Sequence, residues 1–511
     1  MKKFLSMILA CSVLTLTTIS ASAEGSMDYR FKESGKITDV TCGYVDAAEN
    51  NTVYIAHGAN IYSYDMANLS NPIRLDGDIV GYGNVKALKI RDNYLFATYE
   101  EQLRIFDVTN PNNPAQIAHY TYTADKESFD AAALAFGSDG YVYLSVYNTW
   151  WSGKDMSKSL GLIILKADDE AIRAADGGEL TAVYKNKEKN SGRVYNTMCA
   201  SGNYLYGVTY FFSGAANPHP GTIEMLDISD RTNPVIKGAH QVTYTKTDGN
   251  KNVAEAGTIC TNDGSDYVYI SYGDSQQESA NQINGVLQMN FKEAKQSDTA
   301  LTDEEIASGS ARCSAKRFNI ASVGYGRITS IGLIGEFLIT SALDKNEFCV
   351  YRLMDDGNGG EKLDHVFWGP GTFENTYRGT ICAIKNGVIY CSDKQNGMKC
   401  YRVPDNTIDD YTIAKNSENG SCSGVFTFSN YKEKDTVIGK LILATYASEG
   451  DGSRLVSVDM KDCVIPAGRY RYTVRTDDLS TDDANVAKLF VFKDLVSLKN
   501  WGNAYRLDLN Q

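Results

Sequence analysis

In the stretch TICAIKNGVIYC, Cys382 and Cys391 stand nine residues apart across an Asn-Gly turn, and Cys400 follows at the same interval. Thiols so placed can hold a soft metal, close a disulfide or pack as small apolar groups. Structural zinc sites need close pairs such as CxxC or CxxH, and the chain has neither. Its five histidines share no metal spacing. GSCSG at 420–424 has the letters of a nucleophile elbow, but it sits in a Ser-Asn-Gly run without the strand-to-helix turn that aims such a serine. The acidic loops DDGNGG and TNDGSD depart from EF-hand spacing, and no phosphate loop or dinucleotide fingerprint occurs. Neither a metal nor a cofactor is expected.

The elements that must position these residues form a repeat. A small-apolar-small triplet, a turn and an aromatic-rich strand recur, as in VTCGYVDAAENNTVYIA, ALKIRDNYLFAT, TMCASGNYLYGV and TICAIKNGVIYCS. Alternation in each half is the period of a half-buried strand, and Asn, Asp and Gly between the halves make hairpin turns. A third strand follows each copy, and a fourth follows most. Seven such units between about residues 37 and 415 predict an all-β chain, a seven-bladed β-propeller over 27–415.

The last residue of the triplet is Cys42, Lys89, Ala135, Cys199, Cys260, Gly332 and Cys382 in turn. Cysteine shares this position with Gly and Ala, which marks a small, crowded slot, and Lys89 in the same ring would repel a metal cation. These thiols are expected to be buried and inert. Cys391 and Cys400 lie symmetrically about SDKQNGMK, so a disulfide between them stays open: ten cysteines, an even number, remain once the leader is removed. Against it, cross-strand neighbours often fit disulfide geometry poorly.

The third strands and turns LRIFDVTNPNNP, IEMLDISDRTNP and IYSYDMANLSNP carry an Asp (Asp107, Asp227, Asp65) and a proline (Pro114, Pro234, Pro72). With these residues the chain resembles the LVIVD-repeat extracytoplasmic β-propeller proteins. That likeness implies a propeller and an extracytoplasmic location, and no particular reaction. Four of the seven units lack the signature. After a polar linker at 416–424 the pattern changes, and short strands between Gly, Asp and Asn turns predict a β-sandwich over 424–510. Phe428-Ser429-Asn430-Tyr431, Leu455-Val456-Ser457-Val458 and Ala487 to Val491 are similar to an immunoglobulin- or fibronectin-like module of exported bacterial surface proteins. That resemblance implies an accessory or adhesive role.

Residues 1–23 have the charged start, apolar stretch and Ala-Ser-Ala end of a secretory signal cleaved after Ala23, which predicts a secreted or cell-surface protein. No later run approaches a membrane span. Net charge is −13, and −15 once Lys2 and Lys3 leave with the signal, which argues against nucleic acid and anionic membrane surfaces as partners.

Loop length suggests where a ligand binds. Connections between second and third strands are short in most units but long in the third to fifth: YNTWWSGKDMSKS, YFFSGAANPHP and YGDSQQESANQIN. They carry Tyr147, Trp150, Trp151, Tyr210, Phe211, Phe212, His219 and Tyr272, whose flat faces suit sugars or a protein partner. The opposing reading folds these aromatics inward as small cores for their own loops. Arg193, Arg327 and Arg378 precede their triplets at comparable distances, with Asp39, Asp130 and Glu255 at related points. His119, His240 and His365 recur in fourth strands and read as structural. The expectation is a non-catalytic exported binding or scaffold protein that recognises a glycan or an extracellular protein. The alternative is a glycoside hydrolase or polysaccharide lyase acting at the propeller mouth.

Overall fold

The structure is a computed structural model that describes residues 32–510 apart from 123–128, 149–158, 187–192, 210–218, 246–250, 254, 274–284, 319–327, 343–346, 356–360, 371–379, 394–395, 404–406, 417, 431–435, 450–451, 496–498 and 501–503. Its described residues are overwhelmingly strand. Sheet 1 runs Tyr44–Ala47, Thr52–His57, Asn60–Asp65 and Ile73–Arg74, and sheet 2 Ala87–Arg91, Tyr94–Thr98, Gln102–Asp107 and Ala115–Thr121. Sheet 3 holds Phe129–Phe136, Tyr141–Asn148, Gly161–Lys166 and Ala182–Lys185. Sheet 4 holds Tyr195–Ser201, Tyr204–Thr209, Thr222–Asp227 and Val235–Gln241, with Ser310–Ala311 added at its edge. Sheet 5 comprises Glu255–Cys260, Tyr267–Gly273, Gly285–Asn290 and Ser314–Phe318, and sheet 6 Ile328–Ile334, Phe337–Ala342, Glu347–Asp355 and Glu361–Pro370. Sheet 7 is built from Thr380–Lys385, Val388–Ser392 and Met398–Arg402, completed by the far N-terminal strand Lys32–Ile37. Each first strand lies beside the first strand of the next sheet, and that of sheet 7 lies beside that of sheet 1.

Apolar clusters fill the intervals between sheets. Phe96, Leu103, Val142 and Leu165 meet between sheets 2 and 3; Tyr206, Met225, Val268 and Leu287 meet between sheets 4 and 5. Tyr390 and Met398 of sheet 7 pack with Val53 and Ile55 of sheet 1. Polar ties cross the same intervals. Asp46 accepts from the Ile90 amide at 2.7 Å, Ser145 Oγ from the Tyr195 amide at 2.7 Å, and Thr258 Oγ1 from the Ile331 amide at 2.8 Å. Ser392 donates to the Cys42 carbonyl at 2.8 Å.

The recurring Asp at the end of the third strand has a local task. Asp65, Asp107 and Asp227 each accept from the amide two residues on, at 2.8, 2.9 and 2.9 Å, which turns the chain into the next strand. Pro72, Pro114 and Pro234 then stand immediately before the fourth strands.

Two expectations need correction, and one question left open is answered. Residues 416–424 are no linker: Thr407–Asn416 pairs with Ser421–Asn430, with Asn416 opposite Ser421, so the polar run is a hairpin turn and the C-terminal module begins by Thr407. Turns and linkers draw on the same residues, Ser, Asn and Gly, which is why composition misplaced the boundary. That module has two further sheets around a core that includes Cys422, Phe426, Leu441, Cys463 and Leu489.

The slot shared by cysteines is also shifted in two sheets. Residues opposite the second-strand Tyr54, Phe96, Tyr143, Tyr206, Tyr269, Ile339 and Tyr390 are Asp46, Lys89, Ala135, Cys199, Cys260, Gly332 and Ala383. Cys42 precedes the first strand of sheet 1, and a bulge between Ile381 and Ala383 takes Cys382 out of register.

The Cys391–Cys400 bridge is absent. Cys391 stands opposite Lys399, and Cys400 opposite Tyr390. Neighbours along a strand point to opposite faces, so the two thiols lie on opposite sides of the sheet, each reduced and fully buried. The Cys400 thiol donates to the Gly35 carbonyl at 3.3 Å, and burial pushes it up to about 12.

Closure of sheet 7 depends on Gly397, whose φ is +89° and whose missing Cβ would lie 1.8 Å from the Ile37 carbonyl oxygen. Gly397→Val should therefore expel the strand Lys32–Ile37 and cost about 3 kcal/mol or more. Urea unfolding, with hydrogen exchange across residues 32–37, measures both. An unchanged midpoint with full protection of that strand would refute this view of closure.

Candidate functional site

In every sheet the end of the second strand and the start of the first lie at the same end; in sheet 4 Tyr195 stands opposite Thr209. Connections 149–160, 210–221 and 274–284 therefore leave from the end at which the first strands begin. There, between sheets 3 and 4, the structure assembles a polar cluster from three distant segments.

Its centre is Glu224, in the third strand of sheet 4, with no exposed surface. The Tyr195 hydroxyl donates to Glu224 Oε2 at 2.6 Å, and Arg193 Nε lies 3.2 Å from Oε1. Gly207 makes this possible, because a Cβ there would sit 2.5 Å from the Tyr195 ring. The Arg193 side chain is 15% exposed, and its Nη2 meets Asp303 Oδ1 at 3.5 Å. Asp303 opens the short helix Asp303–Ala307, which Thr302 and Glu305 cap reciprocally, and its side chain is 86% exposed.

His219 approaches from the long connection of sheet 4. Thr209 Oγ1 donates to its carbonyl at 2.7 Å and accepts from the Thr222 amide at 2.8 Å, while Gln241 donates to the Pro220 carbonyl at 2.9 Å. The end of this connection is thus tied to the sheet.

Burial raises the Glu224 carboxyl above its usual range, against the opposing pull of Arg193 and the Tyr195 hydrogen bond. Burial and the Glu224 charge push the Tyr195 hydroxyl well up. Partial burial and the nearby Arg193 charge push His219 down, which keeps the imidazole neutral near neutral pH. The arrangement sets a guanidinium against a buried carboxylate at Nε and an exposed one at Nη2, with an imidazole near enough to feel its charge.

Of the expected site residues, Arg193 belongs to the cluster, and His219 lies near enough for the Arg193 charge to lower its imidazole. Tyr147 lies in the second strand of sheet 3, half-buried. Tyr272 is corrected: it is 4% exposed within the cluster between sheets 4 and 5, with the Arg317 guanidinium over its ring, so it serves the core rather than a ligand. Trp150, Trp151, Tyr210, Phe211, Phe212, Arg327 and Arg378 lie outside the described residues. Asp39 accepts from the Tyr64 hydroxyl at 2.9 Å and is occupied structurally. His119 and His240 sit in fourth strands, as read from the sequence.

Glu224, Tyr195 and Asp303 were not foreseen. TIEMLD carried a usable signal, since Glu224 interrupts an otherwise apolar strand. Asp303 is 110 residues from Arg193 and gave none. A cleft of about 410 Å³ lies elsewhere, where the turn at Gly335 and Glu336 in sheet 6 meets Gly468 and Arg469 of the C-terminal module. There Glu336 N donates to the Gly468 carbonyl at 2.8 Å, and Arg469 pairs with Glu336. Among the described residues no group of His, Cys, Asp and Glu is arranged to hold a metal ion.

No family model and no curated protein matches this chain. Among solved structures it is similar to the WD40 domain of Neurospora crassa Pan2, at 11% identity over 73% of this chain and 95% of that one, with a TM-score of 0.42. Sqt1 of Saccharomyces cerevisiae is similar at 10% identity over 77% and 96%, with a TM-score of 0.41. Apo AztD from Citrobacter koseri is similar at 10% identity over 85% and 89%, with a TM-score of 0.37. Likeness at this level says nothing of what the chain binds.

Two outcomes test the geometry. Glu224→Ala strands a half-buried guanidinium and should cost about 2–3 kcal/mol in chemical denaturation, whereas Arg193→Met with Glu224→Met together should stay within about 1 kcal/mol of the parent. Equal losses in both variants would refute a compensated buried pair. For the thiols, burial raises Cys260 and pushes Cys199 up to about 12, and Cys42 is 1% exposed. Iodoacetamide should leave Cys42, Cys199, Cys260, Cys391 and Cys400 unmodified in the native chain and label all five in denaturant, read by peptide mass spectrometry.

Proposed function

We propose that the chain is a seven-bladed β-propeller of the LVIVD-like kind, followed by an immunoglobulin-like sandwich. It acts as an exported, non-catalytic binding protein that is secreted or held at the cell surface after loss of residues 1–23. Its partner is a glycan or an extracellular protein, met on the face from which the long connections of sheets 3 to 5 leave. One observation carries this reading: at that same strand end the Arg193 guanidinium is paired with the buried Glu224, and the backbone at His219 is tied to Thr209.

Closed succession of the first strands and apolar filling between sheets are what a propeller requires. A glycan hydrolase or lyase fits less well. Glu224 has a raised carboxyl, as a general acid needs, yet it has no exposed surface and is covered by Arg193 and Tyr195. A carboxyl that no substrate atom can touch donates no proton to a glycosidic bond.

Screening the chain against glycan and extracellular-protein libraries tests the reading, with product analysis on each hit. Replacing Trp150 and Trp151 together with Ala should weaken the captured ligand at least tenfold, since a buried Trp contact supplies about 2 kcal/mol. The melting temperature should hold. Unaltered binding, or unfolding several degrees early, would return these aromatics to a role inside their own loop.

A further inference from the structure

We propose that Arg193 is the anchor for the carboxylate of a terminal acidic sugar, and that Asp303 occupies that place in the free protein. The inference rests on the reading that this face binds glycans and names the glycan class. A guanidinium offers five N–H donors in a rigid planar fork that matches a carboxylate. Glu224 takes the Nε side of that fork at 3.2 Å, with no surface of its own exposed. Tyr195 holds Glu224 in place at 2.6 Å. The guanidinium therefore already has a buried, charged partner before any ligand arrives.

Its outer edge is used poorly. Among the described residues it meets one carboxylate, Asp303, through a single Nη2 contact of 3.5 Å from a side chain 86% exposed. A contact at that exposure is weak and readily exchanged. An incoming carboxylate can engage the fork with shorter, charge-assisted bonds, so Asp303 marks both the chemistry and the location of its contact. His219 lies close enough for the Arg193 charge to depress its imidazole, and a neutral ring both accepts from and donates to sugar hydroxyls. Net charge narrows the choice further. A chain of net charge −13 repels a polyanion at long range, which favours a single terminal acidic residue over an extended acidic polymer.

The test uses the full chain and the methyl glycosides of glucuronic, galacturonic and N-acetylneuraminic acids, with methyl glucoside and methyl galactoside as uncharged counterparts and a tetraglutamate peptide as a non-sugar acid. Affinities are read by ligand-observed NMR titration. At least one acidic glycoside should bind tenfold or more tightly than the uncharged ones. Asp303→Asn should raise that affinity three- to tenfold, because it removes the competitor. Arg193→Gln should abolish the preference, and Arg193→Lys should retain part of it. Asp303→Asn alters an exposed side chain, so its result stands even if the Arg193 variants fold badly. The proposal is overturned if no acidic glycoside is preferred, if Asp303→Asn weakens binding, or if tetraglutamate binds as well as every sugar acid. A neutral glycan or protein captured in the library screen and indifferent to Arg193→Gln would also overturn it, while leaving the binding reading intact. Capture of nothing would overturn both.

Discussion

The arrangement depends on a size rule applied once per sheet. Seven first strands crowd together, and each second strand carries a large side chain opposite the first. Tyr54, Phe96, Tyr143, Tyr206, Tyr269, Ile339 and Tyr390 are all at most 2% exposed. Burying each contributes on the order of 2 kcal/mol, and the opposite residue must leave room for it. Ala135, Cys199, Cys260, Gly332 and Ala383 obey by being small. Asp46 and Lys89 obey differently, through opposite charges in adjacent sheets: burial raises the Asp46 carboxyl, while Lys89 and the amides of Ile90 and Ala47 pull it down. Cysteine at this place is a packing choice, small enough to face a large second-strand side chain.

Much of this was legible in the sequence, because strand alternation and turn residues are local. TMCASGNYLYGV gave two strands and their hairpin, and the Asp of LRIFDV and IEMLDI gave the turn into the fourth strand. Errors arose where one composition serves two structures. NSENGSCSG reads equally as linker and as hairpin turn, and only pairing across Asn416 and Ser421 decides. Bulges defeat counting: one extra residue near Cys382 shifts the slot to Ala383. Lys32–Ile37, with one large apolar residue in KESGKI, has little strand signal of its own and is strand because Met398–Arg402 lies open beside it.

The candidate site was half legible for a related reason. Arg193 and His219 stand near strand ends and announce themselves by position. Glu224 and Tyr195 are interior, and their meaning appears only when the sheets bring them together. A buried carboxylate with one cationic and one hydroxyl partner gives little net stability, since desolvation offsets most of the attraction. What it supplies is location: a buried negative charge beside which the guanidinium sits. Lys440 and Asp462, paired on the exposed surface of the C-terminal module, have the same formal charges and no comparable constraint.

Joining the first strand to the last sheet has a bearing on how the chain is made. Lys32–Ile37 leaves the ribosome early, yet its partner Met398–Arg402 emerges only after six sheets have been synthesised. Sheets 1 to 6 can stack in order as they appear, each covering the apolar face left by its predecessor. Throughout that time the growing stack has two open ends and one orphan strand. A polypeptide cut short before Met398 cannot shrink to a smaller circle, because the tilt between neighbouring sheets is set by their packing. Its two bare faces remain complementary to those of other truncated copies, so nascent chains are at their stickiest just before the last sheet arrives.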